Sequence, residues 1–415
     1  MIKLILESIA FAFGSLKSDK FRTFLSLFGV SIGIFSIVMV FTAIDALGKN
    51  VNRGLSTLNS SSVFIQQFPW GPEEGESEYK WWEYLSRPQP KYREFLFLRE
   101  KLTTAKATSF AAFTNKNVKY KRSSFNNASI ISPAEDWDKV TSVEIEKGRY
   151  FSPYELESAV AVAIIGNSVA ENLFLGGEDP LNKIIKIGGE RLRVIGVNKK
   201  AGESIVNIFD TDNSVTIPYS YAEKLFNVNN SGTIICTMPA DEVDRATFLQ
   251  EIKQLMRAVR RIKPTKNDNF AINEMTFMLT QVESIFSGIN LAGWIIGGFS
   301  ILIGGFGIAN IMFVSVKERT NLIGIQKALG AKKYTILIQF LAEAAALALL
   351  GGLIGLLIVF GVIAAVGNTG SFPMELSVYN IIRGLLIASI IGIVSGFVPA
   401  YTASNLNPVD AINSK

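Results

Sequence analysis

Covalent and metal chemistry need side chains that this chain scarcely has. No histidine occurs in its 415 residues, which excludes a Ser-His-Asp triad, a Cys-His pair and any His-ligated metal. The lone cysteine, Cys236, sits in the apolar run TIICTM and is expected on a buried strand, where a thiol is inert. It has no second cysteine for an internal disulfide. The sequence contains no G-x-x-x-x-G-K-[ST] stretch, so it holds no phosphate loop for ATP. One acidic group remains in an unusual place. Glu343 is the only charge between residues 334 and 374, and a carboxylate inside a membrane span costs roughly 2.5–3.5 kcal/mol near the bilayer centre. It must face protein or a water pocket, either as an interhelix hydrogen-bond partner or as a group active in coupling. The spans carry no paired carboxylates, which disfavours an intramembrane hydrolase.

A second concentration of polar groups lies between two uncharged runs. Lys317, Glu318, Arg319, Lys327, Lys332 and Lys333 fall within VSVKERTNLIGIQKALGAKK, while 284–316 on one side is free of charge. Within it Leu322, Ile325 and Leu329 stand at i, i+3 and i+7, which puts one apolar stripe on a short helix. Thr320 is placed to cap its start, and Gly330 stands where a helix C-terminal glycine belongs. Two readings are open: a solvated reversal between spans, or a surface that docks another protein. A plain turn has no need of so long an apolar stripe.

The elements that position these groups are membrane helices. Apolar residues make up 48% of the chain and the mean hydropathy is +0.29. A helix crosses the hydrocarbon core with about 20 apolar residues, and four segments qualify: 23–44, about 292–316, about 336–366, and 384–401. The first is too long for a signal-peptide core and lacks a convincing cleavage site, so it reads as a retained anchor. Lysine and arginine beside cytoplasmic helix ends set orientation. Lys3, Lys17, Lys20 and Arg22 precede the first span, the charged segment lies between the second and third, and GNTGSFPMELS after the third has neither Lys nor Arg. Both termini and 317–333 are therefore expected inside, and 48–283 outside, with Arg383 a mild exception. The net charge of +5 is absorbed by this asymmetry, so no nucleic-acid partner is inferred. IKLILESIAFAFGSL before the first span suits an interfacial helix in contact with membrane lipid. Gly29 and Gly33 in the first span, and Gly293 and Gly297 in the second, have the spacing that lets helix backbones approach closely. Four spans are few for a solute pore, so a dimer is expected.

The outer segment mixes strand and helix patterns. SVFIQQF (62–68) and NVKYKRS (117–123) alternate with period two; AVAIIG (161–166) is an apolar strand followed by the helix-like NSVAENLFL. KIIKIGGERLRVIGV (183–197) reads as a hairpin turning at Gly188 and Gly189. Helices are expected at 92–103, 219–226 and 241–262. The acidic, Pro-bounded stretch 69–90 reads as a long loop, its Trp81 and Trp82 packing on their own domain or meeting a partner. The fold class is an α-helical membrane protein with four transmembrane helices and a large mixed α+β extracytoplasmic domain between helices one and two.

The wording of several segments goes further. GGFGIANIMFVSVKERTNLIGIQKALGAKKYTILIQFLAEAAALALLGGLIG resembles the join between the second and third spans of the MacB/FtsX-type ABC transporter permeases. SLKSDKFRTFLSLFGVSIGIFSIVMV is similar to that family's first span and lead-in, and VAIIGNSVAENLFLGGEDPLNKIIKIGGERLRVIGV to the core of its outer domain. NDNFAINEM and SGFVPAYTASNLNPVDAI resemble the approach to its second span and its fourth span with tail. Residues 69–135 match no such pattern.

The resemblance implies a dimer of four-span subunits, homomeric or heteromeric, with a separate cytoplasmic ABC ATPase docked on the segment between spans two and three. It assigns Lys317, Glu318, Arg319, Leu322, Ile323, Gly324, Ile325, Lys327, Leu329 and Gly330 to that coupling segment. ATP and magnesium would be bound by the partner, with no cofactor, catalytic residue or metal in this chain. Family members commonly carry Arg-Glu where this chain has Asn321-Leu322, and often an acid where it has Glu343. The implied work is mechanotransmission: ATP-driven movement of the outer domain, driving export from the periplasmic side with an adaptor or outer-membrane partner. Lipoprotein extraction or control of an envelope hydrolase are alternatives within the family; an anchored sensor or adhesion protein without ATPase is the alternative outside it. The implied partition is an interfacial helix 1–20, spans 21–47, 284–316 with its stalk, 334–366 and 378–404, a core domain 48–283, a coupling segment 317–333, an outer loop 367–377 and a tail 405–415, all in the inner membrane. The topology is tested by labelling intact cells: a Lys327→Cys variant should stay unreactive to an impermeant thiol reagent until the membrane is opened. Labelling from outside would reverse the orientation.

Overall fold

The computed structural model describes residues 20–55, 61–73, 78–202, 209–228, 231–366 and 374–413. The interfacial helix expected over 1–20 lies outside them apart from Lys20, as does most of the loop expected at 367–377. The chain divides into two compact units: residues 1–49 with 284–415, and residues 50–283.

The first unit is built on four helices long and apolar enough to cross a membrane: α1 (Lys20–Leu55), α9 (Met275–Glu318), α11 (Lys333–Val366) and α12 (Val378–Asn405). All are longer than the apolar runs that announce them. At 44 residues, α9 extends about 66 Å at 1.5 Å per residue, roughly twice the hydrocarbon thickness. Lipid offers apolar faces no reason to associate, so contact depends on close backbone approach. A Cβ on Gly29 would lie 3.0 Å from the Cα of Gly304, and one on Gly33 3.2 Å from the backbone nitrogen of Ile301. Gly293 and Gly297 receive the side chains of Val40 and Ile37. All four glycines thus join α1 to α9 within one subunit; they are occupied and do not form a seam for a second copy. The hydroxyl of Ser31 donates to the carbonyl of Gly351 at 2.9 Å, tying α1 to α11. Asn380 on α12 donates to Asp45 on α1 at 2.8 Å. Arg383, the exception to the charge asymmetry, lies over the rings of Tyr379 and Phe41 at 4.0 and 5.5 Å, which gives its guanidinium a partner on the helix surface.

The second unit is a ten-stranded mixed sheet. Its strands are β1 (Val63–Gln66), β2 (Ala105–Tyr120), β3 (Ser123–Pro133), β4 (Ile145–Gly148), β5 (Val162–Ile165), β6 (Ile184–Ile187), β7 (Glu190–Asn198), β8 (Ser214–Thr216), β9 (Gly232–Pro239) and β10 (Ala271–Glu274). They run in the order β10-β1-β9-β2-β3-β8-β5-β7-β4, with β6 against β2 and β7. Pairing is antiparallel except for β3 with β8 and β5 with β7. The helices of this unit are α2 (Trp81–Tyr84), α3 (Tyr92–Lys101), α4 (Trp137–Val140), α5 (Pro153–Glu157), α6 (Asn167–Leu173), α7 (Tyr219–Leu225) and α8 (Arg245–Val259). Period-two alternation assigns β9 to two cores. Ile235 faces Phe95 and Leu98 of α3 and Phe248, Ile252 and Met256 of α8, whereas Ile234 and Cys236 face Phe64, Trp137 and Phe209. Cys236 is fully buried, and burial pushes its thiol pKa far up, so the strand reading holds. A third core packs Val169 and Leu173 of α6 on Ile165, Ile185, Ile187 and Val194. The turn joining β6 to β7 is the expected one, with Gly188 and Gly189 at φ +60° and +97°, angles that a glycine accepts without strain.

Two expectations fail. Residues 117–123 are not one strand: β2 ends at Tyr120, the chain reverses through Lys121 at φ +49°, and β3 starts at Ser123. Alternation continues through both arms of the hairpin, so periodicity alone hides the turn. In the 69–90 stretch a short helix forms, but Trp81 and Trp82 do not pack on their own domain; they are 53% and 54% exposed and contact each other edge to face. The aromatic residues that anchor this stretch are Trp70, stacked near Phe64, and buried Tyr84, under the guanidinium of Arg87 at 4.4 Å.

Helix α3 is fastened to α8 by a buried ion pair. Arg260 donates from Nε and Nη2 to the two carboxylate oxygens of Glu94 at 3.0 and 2.9 Å, with both side chains under a tenth exposed. Removing one partner leaves the other charge buried alone, which typically costs about 3–5 kcal/mol. Glu94→Ala should lower the urea midpoint of the outer unit in the full-length protein by an amount of that order. An unchanged midpoint would show that Asn269, which also accepts from Arg260, suffices.

Candidate functional site

The charged segment folds as predicted in outline and differently in detail. Helix α10 (Thr320–Ala328) follows α9 after a single residue, Arg319. Thr320 does not cap it. Its hydroxyl donates back to the carbonyl of Val316 at 2.9 Å, filling an acceptor left open at the end of α9, and Arg319 takes the cap position without a side-chain bond. At the other end the expected glycine does its part. Gly330 has φ +96°, its N–H donates to Lys327 and that of Ala331 to Gln326, each at 3.0 Å. This paired closure ends a helix where the chain must turn left-handed.

The helix has two unlike faces. Leu322, Ile325 and Leu329 are 58%, 43% and 84% exposed, with Lys317 and Glu318 also exposed. The opposite face holds Ile323 and Gly324, both buried. Ile323 joins the apolar cluster that contains Ala400 and Ala403 of α12. Gly324 abuts a short helix, α13 (Pro408–Asn413), so closely that a Cβ there would stand 2.9 Å from the Cβ of Ala411 and 2.9 Å from the nitrogen of Ile412. Polar ties reinforce the contact. Asn321 donates to the carbonyl of Ile412 at 3.0 Å, Lys327 to that of Leu406 at 2.6 Å, and Lys333 to the side chain of Asn405 at 3.0 Å. Burial first, and the nearby charge of Lys333 second, hold the Lys327 ammonium below its usual pKa.

Arg319 carries the other attachment. Its Nη1 donates to Oε2 of Glu343 at 3.2 Å, across from the end of α9 to α11. Glu343 is only 2% exposed. Its second carboxylate oxygen and the hydroxyl of Ser315 on α9 are buried with no hydrogen-bond partner among the described residues. The structure therefore brings Arg319 and Glu343 together, as an acid within a span requires. It separates the ten segment residues into an exposed group and a group held internally. What the sequence did not reveal is the tail helix. Pro408 at its first position and Asp410 in its first turn are ordinary helix-start signals, and a small residue facing Gly324 is visible only in space.

Two family models cover most of the chain. Residues 23–255 match the MacB-like periplasmic core domain and residues 294–408 the FtsX-like permease C-terminal. The ABC transporter permease YknZ of Bacillus subtilis (strain 168) is 29% identical over 98% of this chain and 99% of its own length. The macrolide export ATP-binding/permease protein MacB of Wolinella succinogenes is 28% identical over 99% of this chain, which spans 61% of that protein. The crystal structure of the periplasmic region of MacB from Actinobacillus actinomycetemcomitans aligns with 55% of this chain and 95% of its own, at 15% identity and a TM-score of 0.44. With four apolar helices and a large α/β unit inserted between the first two, the chain belongs to the MacB/FtsX-type family of ABC transporter permeases.

Proposed function

We propose that this permease converts ATP hydrolysis by a separate ATPase chain into movement of its outer unit. The observation that carries the proposal is the exposed stripe of Leu322, Ile325 and Leu329 on a helix whose other face and first residue are fixed within the subunit. An amphipathic helix of this kind enters an apolar groove, its anchors dominating affinity and its flanking charges setting register. Lys317 and Glu318 are the register charges. A pull on the stripe reaches α11 through Arg319 and Glu343, because an ion pair buried at 3.2 Å has no water to replace either partner. The absence of a phosphate loop supports a partner as the holder of ATP and magnesium.

In this reading the protein works in the inner membrane as a dimer, with 317–333 on the cytoplasmic side and the ATPase bound there. Its task is export from the periplasmic side by mechanotransmission, of the general kind printed for the MacB relatives, with an adaptor outside. Spans held together by backbone contacts such as Gly29 with Gly304 leave little room for cargo between them, which favours movement outside the membrane over passage through it.

Co-purification of the ATPase with variants tests the docking surface. Ile325→Asp should reduce recovery by at least about tenfold, the effect of roughly 1.4 kcal/mol, whereas Lys317→Ala should stay within about twofold because rim charges contribute less. Full recovery with Ile325→Asp would leave the stripe as a surface resting on lipid. The purified permease alone should release no phosphate from ATP; release that tracks the permease through purification would refute a separate ATPase.

A further inference from the structure

A nine-residue helix has too few internal bonds to hold its own shape or direction in water. Leu322, Ile325 and Leu329 add nothing to holding α10, because they are exposed. Its orientation must come from the buried face, which is narrow: Ile323 and Gly324. Gly324 matters here for lacking a side chain, since that is what admits Ala411 and the backbone of Ile412. The polar ties lie at both ends of this contact, Asn321 near the start of α10 and Lys327 near its end. Their acceptors are informative. Leu406 is the C-cap residue of α12 and Asn405 its last helical residue, so Lys327 and Lys333 meet the negative end of the fourth membrane helix.

We infer that residues 405–413 form a strut that sets the direction in which α10 presents its apolar stripe and ties that helix to α12. The inference rests on the reading of α10 as the coupling helix. It adds a third line of force: α9 and α11 flank α10 along the chain, and the strut joins it to α12 through side chains. Gly324 and Lys327 are then positioning residues and make no contact of their own with the ATPase, although the family resemblance places both in the docking segment.

Hydrogen exchange on the full chain in detergent, without any ATPase, reads the strut directly. Deletion of 408–413, Gly324→Val and Lys327→Met should each speed exchange of the amides at 323–329 by at least about tenfold, as expected when a local opening becomes easier. Lys327→Arg should restore protection, because it keeps a cation at the carbonyl of Leu406. Protection unchanged in the deletion would overturn the inference. ATPase co-purification then separates a strut from a cover. Recovery should fall with the deletion; a rise would mean that 408–413 hides the stripe, and that too would overturn it. If the unaltered permease retains no ATPase at all, the coupling reading fails while the exchange result still decides whether the strut exists.

Discussion

Lipid solvates leucine as well as another helix does, and this constraint governs the membrane unit. Its helices are joined where side chains are missing: α1 meets α9 at Gly29 and Gly304, and α12 meets α11 where a Cβ on Gly392 would lie 2.7 Å from the carbonyl of Ala344. Polar contacts then act as pins, Ser31 on Gly351 and Asn380 on Asp45. A unit assembled in this way moves in large pieces, since no loosely packed layer lies between its helices. That rigidity makes a single surface helix an effective place to apply force.

The same economy of polar groups explains the coupling region. Glu343 is tolerable inside a span only because Arg319 reaches it from the end of α9. The pair therefore has a structural role that any coupling role must share, and the two readings left open by the sequence are not exclusive. In the outer unit the logic is that of water-soluble proteins. Alternating strands divide apolar residues between cores on the two faces, and Arg260 with Glu94 fastens helix to helix where a carboxylate could not otherwise be buried.

Legibility followed the range of the interaction. The membrane helices, the Gly188-Gly189 turn, the strand holding Cys236 and the C-terminal role of Gly330 depend on neighbours in sequence, and each was readable from local pattern. The exposed stripe was readable for the same reason. Thr320 was misread because two acceptors compete for its hydroxyl, and the carbonyl of Val316 wins. Trp81 and Trp82 were misread because aromatic residues usually indicate packing, while here Trp70 and Tyr84 supply it. The pairing of Gly324 with the tail had no local sign. Nor did the buried face of α10, since Ile323 and Ile325 look alike until something covers one of them.

The bond from Asn321 to Ile412 spans 91 positions of the chain. A ribosome adds residues at about 5–20 per second, so for several seconds after α10 is made its internal partner does not yet exist. During that interval Ile323 and Gly324 are as bare as the stripe beside them, and the helix has no defined face. Recognition by a second protein thus becomes selective only once the final segment has docked. The order of synthesis itself withholds the handle from an unfinished permease.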